Sequence, residues 1–319
     1  MHTIKINKND SGQRIDKFLT KKFRNMPLSL MYKYIRTKRI KLNGKRVKES
    51  NILMEDDVLT LFISDEFFEK RNNDFSFMRI KPKLEIVYED DNILVVNKPA
   101  GLIVHSDANE EFNTLINHII AYLYNTGKYN PEDENSFTPS LCNRIDRNTQ
   151  GLVIAAKNAA ALKEMNEIIK NREVQKRYLC VVHGVPAQKS GTVKSFLKKD
   201  TDSNTVEVKQ KKDSTLDRQA VTKYTVIDTD RAKNLSLLEI ELVTGRTHQI
   251  RAQMADIGHP LLGDGKYAEN KDDRKMGFSY QALCSYSIEF KIRSEKPVLG
   301  YLDGKYLHTP KPEFLKLFE

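Results

Sequence analysis

Asn143-Arg-Ile-Asp-Arg-Asn-Thr-Gln-Gly151, followed at once by Leu152-Val-Ile-Ala-Ala156, sets one carboxylate between two arginines and then runs into five apolar residues. An apolar run of this length behind turn residues reads as a buried strand. Asp146 therefore stands at the mouth of a sheet, a carboxylate kept ionised beside Arg144 and Arg147. Such a group suits a nucleophile or a base, and a surface salt-bridge turn is the plainer reading of the same residues. A second dense segment, Thr244-Gly-Arg-Thr-His-Gln-Ile-Arg251, ends a strand and starts a helix, with Thr247 as a candidate cap. It runs on to His259-Pro-Leu-Leu-Gly-Asp-Gly265. Donors gathered at a strand-to-helix junction suit phosphate or nucleobase binding, with a capped turn as the alternative.

Outward from these segments, Leu84–Tyr88 and Ile93–Asn97 alternate like strands about the acidic turn Glu89-Asp-Asp-Asn92. Arg177–Val182, Val221–Ile227, Leu235–Leu242 and Ser287–Ile292 add further strands, while Thr114–Tyr124, Ala159–Ile169 and His248–Ile257 carry helical spacing. Strands in succession with few helices, lacking regular βαβ alternation, predict an α+β fold with a mostly antiparallel sheet over residues 83–319. Residues 66–82 show no period and read as a linker whose aromatics dock on a neighbour. There is no internal repeat.

Residues 1–65 read as a separate small α/β domain. They hold 15 basic and 7 acidic residues, hence +8 of the chain's net +10, and Lys17 to Lys48 includes twelve Lys or Arg and no acid. Ile15, Phe18, Leu19 and Phe23 recur at helical spacing, and Leu30, Tyr34 and Ile35 suggest a second helix after Pro27, with Ser29 as its cap. Arg39 to Val47 alternates basic with apolar around Asn43-Gly44, a strong hairpin signal, and Val58–Ile63 is a further strand. Lys33, Arg36, Lys38, Arg39, Lys41, Lys45 and Arg46 then fall on exposed phases as candidate phosphate contacts, an ordinary solvated basic face being the alternative.

Several classes lose support. At 319 residues, 39% hydrophobic and 30% charged, the chain fits a globular protein of about two domains. No stretch approaches the roughly 18 uncharged apolar residues of a membrane span, and the start lacks an apolar leader core, so a cytoplasmic protein is expected. Cys142, Cys180 and Cys284 lie far apart without a CxxC pair, which predicts free thiols. The seven histidines are scattered, so no metal site is expected. No Walker loop, GxGxxG, GxSxG or HExxH motif is present.

Taken in order, the blocks resemble RluA-type pseudouridine synthases that carry an N-terminal S4-like RNA-binding domain. Asn143 to Ala155 is similar to that family's HRLDRxTSGLLL segment, and Lys176 to Gly184 to its KxYxAxVxG strand. Thr244 to Asp264 resembles TGRTHQIRxHxxxxGHPIxGD, and Glu89 to Gly101 the opening strand and turn. The correspondence spans about residues 84–292, with the S4 resemblance at 1–63. It implies isomerisation of specific uridines to pseudouridine in structured RNA, foremost large-subunit (23S) ribosomal RNA; that reaction needs no cofactor, and a monomer is the default expectation.

The resemblance makes Asp146 the catalytic carboxylate, Tyr178 the aromatic base partner and Arg251 the cation paired with Asp146. Arg144 resembles the arginine that fills the gap left by a flipped uridine, and Arg147, Arg246 and His248 fall in the same blocks as further RNA contacts. The chemistry suits these residues. The N1–C1′ bond must break, the uracil turn, and the bond re-form through C5, with no redox change and no group donated. A base inside a helix must be extruded to react, and a planar cation suits the vacated place. Departures are Asn143 for His, Ile145 for Leu, Gln150 for Ser and Cys284 for His. They leave Asp146, Tyr178, Arg251 and Arg144 intact and bear on substrate identity. The alternatives are a non-catalytic S4-type RNA-binding factor, which would not need that set, and nucleoside hydrolysis, which usually wants a second carboxylate.

Overall fold

The computed structural model describes residues 1–68, 75–200 and 205–319. Near the N-terminus, β1 (His2–Lys5), β2 (Ile40–Leu42), β3 (Lys45–Arg46) and β4 (Val58–Leu61) form a sheet of order β1-β4-β2-β3. Asn43 and Gly44 take φ of 50° and 74°. These are the two left-handed residues that a two-residue type I′ hairpin turn requires. Helices α1 (Ile15–Lys22) and α2 (Leu28–Arg36) cover the sheet, burying Phe18, Leu19, Met31 and Ile35 against Ile4, Leu59 and Leu61. Ser29 does not cap α2. Pro27 occupies the cap position at φ −57°, already suited to helix entry, so Ser29 falls inside the first turn.

The remaining strands build one large sheet. They are β5 (Glu85–Glu89), β6 (Ile93–Lys98), β7 (Ser140–Leu141), β8 (Gln150–Ala156), β9 (Val174–His183), β10 (Ser190–Asp200), β11 (Thr205–Lys209), β12 (Arg218–Asp230), β13 (Leu235–Leu242), β14 (Leu283–Phe290) and β15 (Tyr306–His308). Their order is β11-β10-β12-β13-β9-β14-β8-β6-β5, with β7 on β8 and β15 on β14. Every pairing is antiparallel except β8 with β14. The α+β, mostly antiparallel expectation holds.

Helices α3 (Leu115–Asn125), α4 (Ala159–Lys170), α5 (Gln249–Asp256) and α6 (Lys271–Lys275) accompany the sheet. Thr114 caps α3 and Asn158 caps α4, each side chain accepting the N–H three residues on. Leu94, Val96 and Val153 face one core with Ile119 of α3 and Met254 of α5, while Ile93, Val95, Leu152 and Ile154 face another with Met165 and Ile168 of α4. Strands β6 and β8 are thus buried on both faces, which is why their sequences are continuously apolar.

Three features differ most from the sequence reading. The strand expected at 287–292 runs from Leu283 to Phe290, drawn forward by pairing of its start with β8 and β9. The hairpin β10–β11 was not foreseen, since it lies at the sheet edge and its polar, lysine-rich phases leave few buried residues such as Leu197 and Val206. In the expected linker, short 3-10 turns form at Asp65–Phe68 and Ser76–Arg79, and residues 69–74 lie outside the described residues. Its aromatics do dock: Phe68 meets Phe23 edge-on at 5.0 Å, and Phe77 meets Tyr124 of α3 at 5.7 Å.

Polar bonds join the small sheet's layer to the larger body. Asp10 accepts from Asn135 Nδ2 at 2.7 Å and Ser136 Oγ at 2.6 Å, and Asn9 accepts the Ala159 N–H of α4 at 3.1 Å. Among the described residues no helix is long and apolar enough to cross a membrane.

Candidate active site

Gly151 decides how the site assembles. Its φ is +119°, and a Cβ there would sit 2.3 Å from the Ser285 carbonyl oxygen. Only glycine lets β8 and β14 pair side by side at this point. Ser285 is opposite Gly151 on one side and Tyr178 of β9 on the other. The loop carrying Asp146 is therefore brought to the same end of the sheet as Tyr178.

That loop is held by its backbone. The Thr149 N–H donates to the Asp146 carbonyl at 3.1 Å, and the Arg147 carbonyl accepts the Gly101 N–H at 2.9 Å and Lys98 Nζ at 2.8 Å. Lys98 is fully buried and also donates to the carbonyls of Pro99 and Leu102, each at 2.7 Å. Burial pushes its ammonium down to about 7 while the Asp146 charge raises it. Three carbonyl acceptors call for three N–H donors, which only the ammonium supplies, so the geometry fits the charged form. Asn143 closes the loop, its amide accepting the Ile154 N–H at 2.8 Å and donating to the Leu152 carbonyl at 3.3 Å. Asn143 thus staples the loop to β8.

Arg251, on α5, bridges two carboxylates. Its Nε and Nη2 fork onto Asp264 at 2.7 and 2.8 Å, and its Nη1 reaches Asp146 Oδ2 at 3.2 Å. The pairing expected with Asp146 is present, but the tighter partner is Asp264, whose side chain is 1% exposed. Burial works against the guanidinium charge, and the bonds to Asp264 outweigh it and raise the Arg251 pKa. His248 Nε2 faces the same Asp146 oxygen at 3.9 Å. Among the described residues Arg251 and His248 both approach Oδ2 of Asp146, and no hydrogen bond is made to Oδ1.

Tyr178 is buried, and its backbone pairs with Ser285 of β14. Burial pushes its phenol up to about 12, the nearby Asp146 charge adding to the rise, so the group is a neutral phenol near pH 7. Such a ring can stack on a base and relay a proton.

The other expected contacts separate into two sets. Arg144 and Arg246 are exposed, with Arg246 Nε donating to the Gln219 carbonyl at 3.2 Å. Arg147 is not free, for it pairs with Asp107 at 3.0 Å with both side chains half exposed. His248 is turned inward, its side chain only 9% exposed, because its backbone adopts the left-handed φ 51°, ψ 20° at the start of α5. Thr247 does not cap that helix; instead Gln249 Oε1 accepts the Arg246 N–H at 3.1 Å and the Thr244 hydroxyl at 2.8 Å. In the N-terminal layer Lys33, Arg36, Lys38, Arg39, Lys45 and Arg46 are exposed and Lys41 half-buried, with Arg39 over the Tyr34 ring and Lys41 over Phe62.

Sequence reasoning missed Lys98, Asp264 and Tyr267 as members of this site. Asp264 was in view at the end of a quoted block, but nothing local assigned it to Arg251. Among the described residues no group of three His, Cys, Asp or Glu could hold a metal ion.

Comparison with known proteins settles the family. Residues 92–256 match the family model for RNA pseudouridylate synthase. The chain belongs to that family. An RNA pseudouridine synthase of Mycoplasma genitalium, MG370, is 33% identical over 303 residues, covering 92% of this chain and 91% of its own. Ribosomal large subunit pseudouridine synthase C of Buchnera aphidicola subsp. Baizongia pistaciae is 32% identical over 306 residues, covering 91% and 89%. Human RNA Pseudouridylate Synthase Domain Containing 4 shares the fold, with a TM-score of 0.55 at 22% identity over 73% of this chain and 90% of that one. The enzyme is thus an RNA pseudouridine synthase, and RNA is its substrate.

Proposed function

We propose that this pseudouridine synthase isomerises specific uridines of large-subunit (23S) ribosomal RNA, as a cytoplasmic monomer, with Asp146 as the catalytic carboxylate. The observation that carries the mechanism is the Arg251 bridge: one guanidinium is forked onto buried Asp264 and spends its remaining nitrogen on Asp146 Oδ2. A carboxylate held at one oxygen presents the other in a fixed direction, toward C1′ of an extruded uridine. Tyr178 stacks on the turned uracil and relays the C5 proton as a neutral phenol. The ribosomal target is supported by the relative named for the large subunit. Hydrolysis of the nucleoside is disfavoured by Asp264, because the second carboxylate that folds into the site has both oxygens on Arg251 and no room to act as an acid.

In the same reading residues 1–65 form an S4-like RNA-binding domain, 66–82 a linker and 83–319 the catalytic domain. The exposed cations of α2 and the β2–β3 hairpin hold RNA phosphates, joined by Arg246 and, once released from Asp107, by Arg147. Changing Lys33, Arg36, Lys38 and Arg39 together to Gln is expected to flatten the plot of log affinity against log salt by about 2 to 3.5. Filter binding across a salt series checks this, and an unchanged slope would place the phosphate contacts elsewhere. Arg144 enters the stack in place of the flipped base. Arg144→Ala is accordingly expected to slow reaction on a structured RNA far more than on an unpaired oligonucleotide, and equal losses in single-turnover rates would contradict the gap-filling role. The reading as a whole is tested by mapping pseudouridines in total RNA from cells with and without the gene. Large-subunit sites should vanish; loss confined to other RNAs would overturn the proposed target.

A further inference from the structure

Tyr267 has no part in the roles above, yet three elements converge on it. Its ring lies 5.4 Å from the Arg251 guanidinium and edge-on to His248 at 5.8 Å. Its hydroxyl oxygen accepts the Val206 N–H of β11 at 2.9 Å and stands 2.9 Å from His248 Nδ1. A phenol that already accepts one N–H has its own proton to place, and His248 Nδ1 is the acceptor within reach. Nδ1 then carries no proton, and the ring proton resides on Nε2, which faces Asp146 Oδ2. The opposite tautomer would set a ring lone pair against the carboxylate and leave the phenol proton without a partner. The left-handed backbone that turns His248 inward is strained for a non-glycine residue, a strain that this arrangement puts to use.

We propose that Tyr267 is a positioning residue for the isomerisation: it fixes the tautomer of His248, so that Nε2–H points from 3.9 Å at the oxygen of Asp146 that Arg251 binds and the other oxygen is presented to the substrate. The inference rests on the catalytic reading of Asp146 and deepens it. Through Val206 the same chain of bonds ties the edge hairpin β10–β11, with its exposed Lys194 and Lys199, to His248, whose Nε2 lies 3.9 Å from the carboxylate.

The arrangement has a pH signature. Burial is the largest influence on His248 and lowers its pKa; Arg251 and Lys266 lower it further, while Asp146 and Asp264 raise it. From β11 the group that reaches the tyrosine is the Val206 N–H, which does not titrate. Burial likewise pushes Tyr267 up to about 12, so its hydroxyl keeps its proton. Donation from that hydroxyl requires an unprotonated Nδ1 and opposes protonation of the ring. Without it the imidazole takes a second proton at higher pH, and the resulting cation draws Asp146 away from the substrate.

Full-length Tyr267→Phe and His248→Gln are compared with wild type in single-turnover pseudouridine formation and RNA binding from about pH 5 to 8, the range in which histidine titrates, alongside Asp146→Asn. Tyr267→Phe is expected to lower the maximal rate about tenfold to a hundredfold, with RNA affinity within about threefold and the acidic limb of the rate profile moved to higher pH. His248→Gln is expected to lose that limb, since an amide does not titrate. A wild-type rate and limb in Tyr267→Phe, with Asp146→Asn inactive, would overturn the positioning role alone. Activity in Asp146→Asn would overturn the reading beneath it. If Tyr267→Phe fails to fold, His248→Gln decides, and an acidic limb persisting at the wild-type position overturns the proposal.

Discussion

Asp146→Asn is expected to cut pseudouridine formation by on the order of 10⁴-fold or more while leaving RNA affinity within roughly tenfold. The amide matches the carboxylate in shape but lacks the charge that acts at C1′. It also leaves the fold undisturbed, because Arg251 keeps its two-pronged bond to Asp264. Single-turnover conversion and filter binding measured on the same preparation separate chemistry from binding. Residual turnover near wild type would remove Asp146 from the mechanism.

Arg251→Met is expected to damage both stability and rate. The guanidinium neutralises Asp264, which is 1% exposed, and losing one partner of a buried pair typically costs about 3–5 kcal/mol. Urea unfolding should show that loss, and the activity of the fraction that remains folded should fall as Asp146 loses its anchor. The double variant Arg251→Met, Asp264→Leu separates the two effects, because an apolar replacement of a buried ion pair is often tolerated. It should recover most of the stability and none of the activity. Recovery of both would mean that Arg251 serves the fold and not the reaction.

These expectations show where the sequence was informative. Asp146, its arginine neighbours and the strand behind them are contiguous, so local pattern exposed them, and the Asn43-Gly44 turn was readable because two left-handed residues in a row permit little else. The roles of Tyr178 and Arg251 came from resemblance, since these residues lie on β9 and α5, far from Asp146 in the chain. Asp264, Lys98 and Tyr267 escaped because their roles depend on partners brought by the fold: a guanidinium, three carbonyls and the N–H of an edge strand. His248 looked like one donor in a row of exposed donors, and only the left-handed turn in its backbone points it inward. Ser29 and Thr247 illustrate the limit of local rules, as a proline and a glutamine side chain took the places that their hydroxyls suggested.

The central claim is that this site rearranges uridine within an intact RNA chain. Its most direct test is the purified enzyme acting on large-subunit ribosomal RNA labelled with tritium at C5 of uridine, following tritium release and free uracil together. The account predicts one tritium released for each pseudouridine formed, in wild type and not in Asp146→Asn, with no uracil liberated. Release of free uracil, or pseudouridine formation that persists without Asp146, would contradict it.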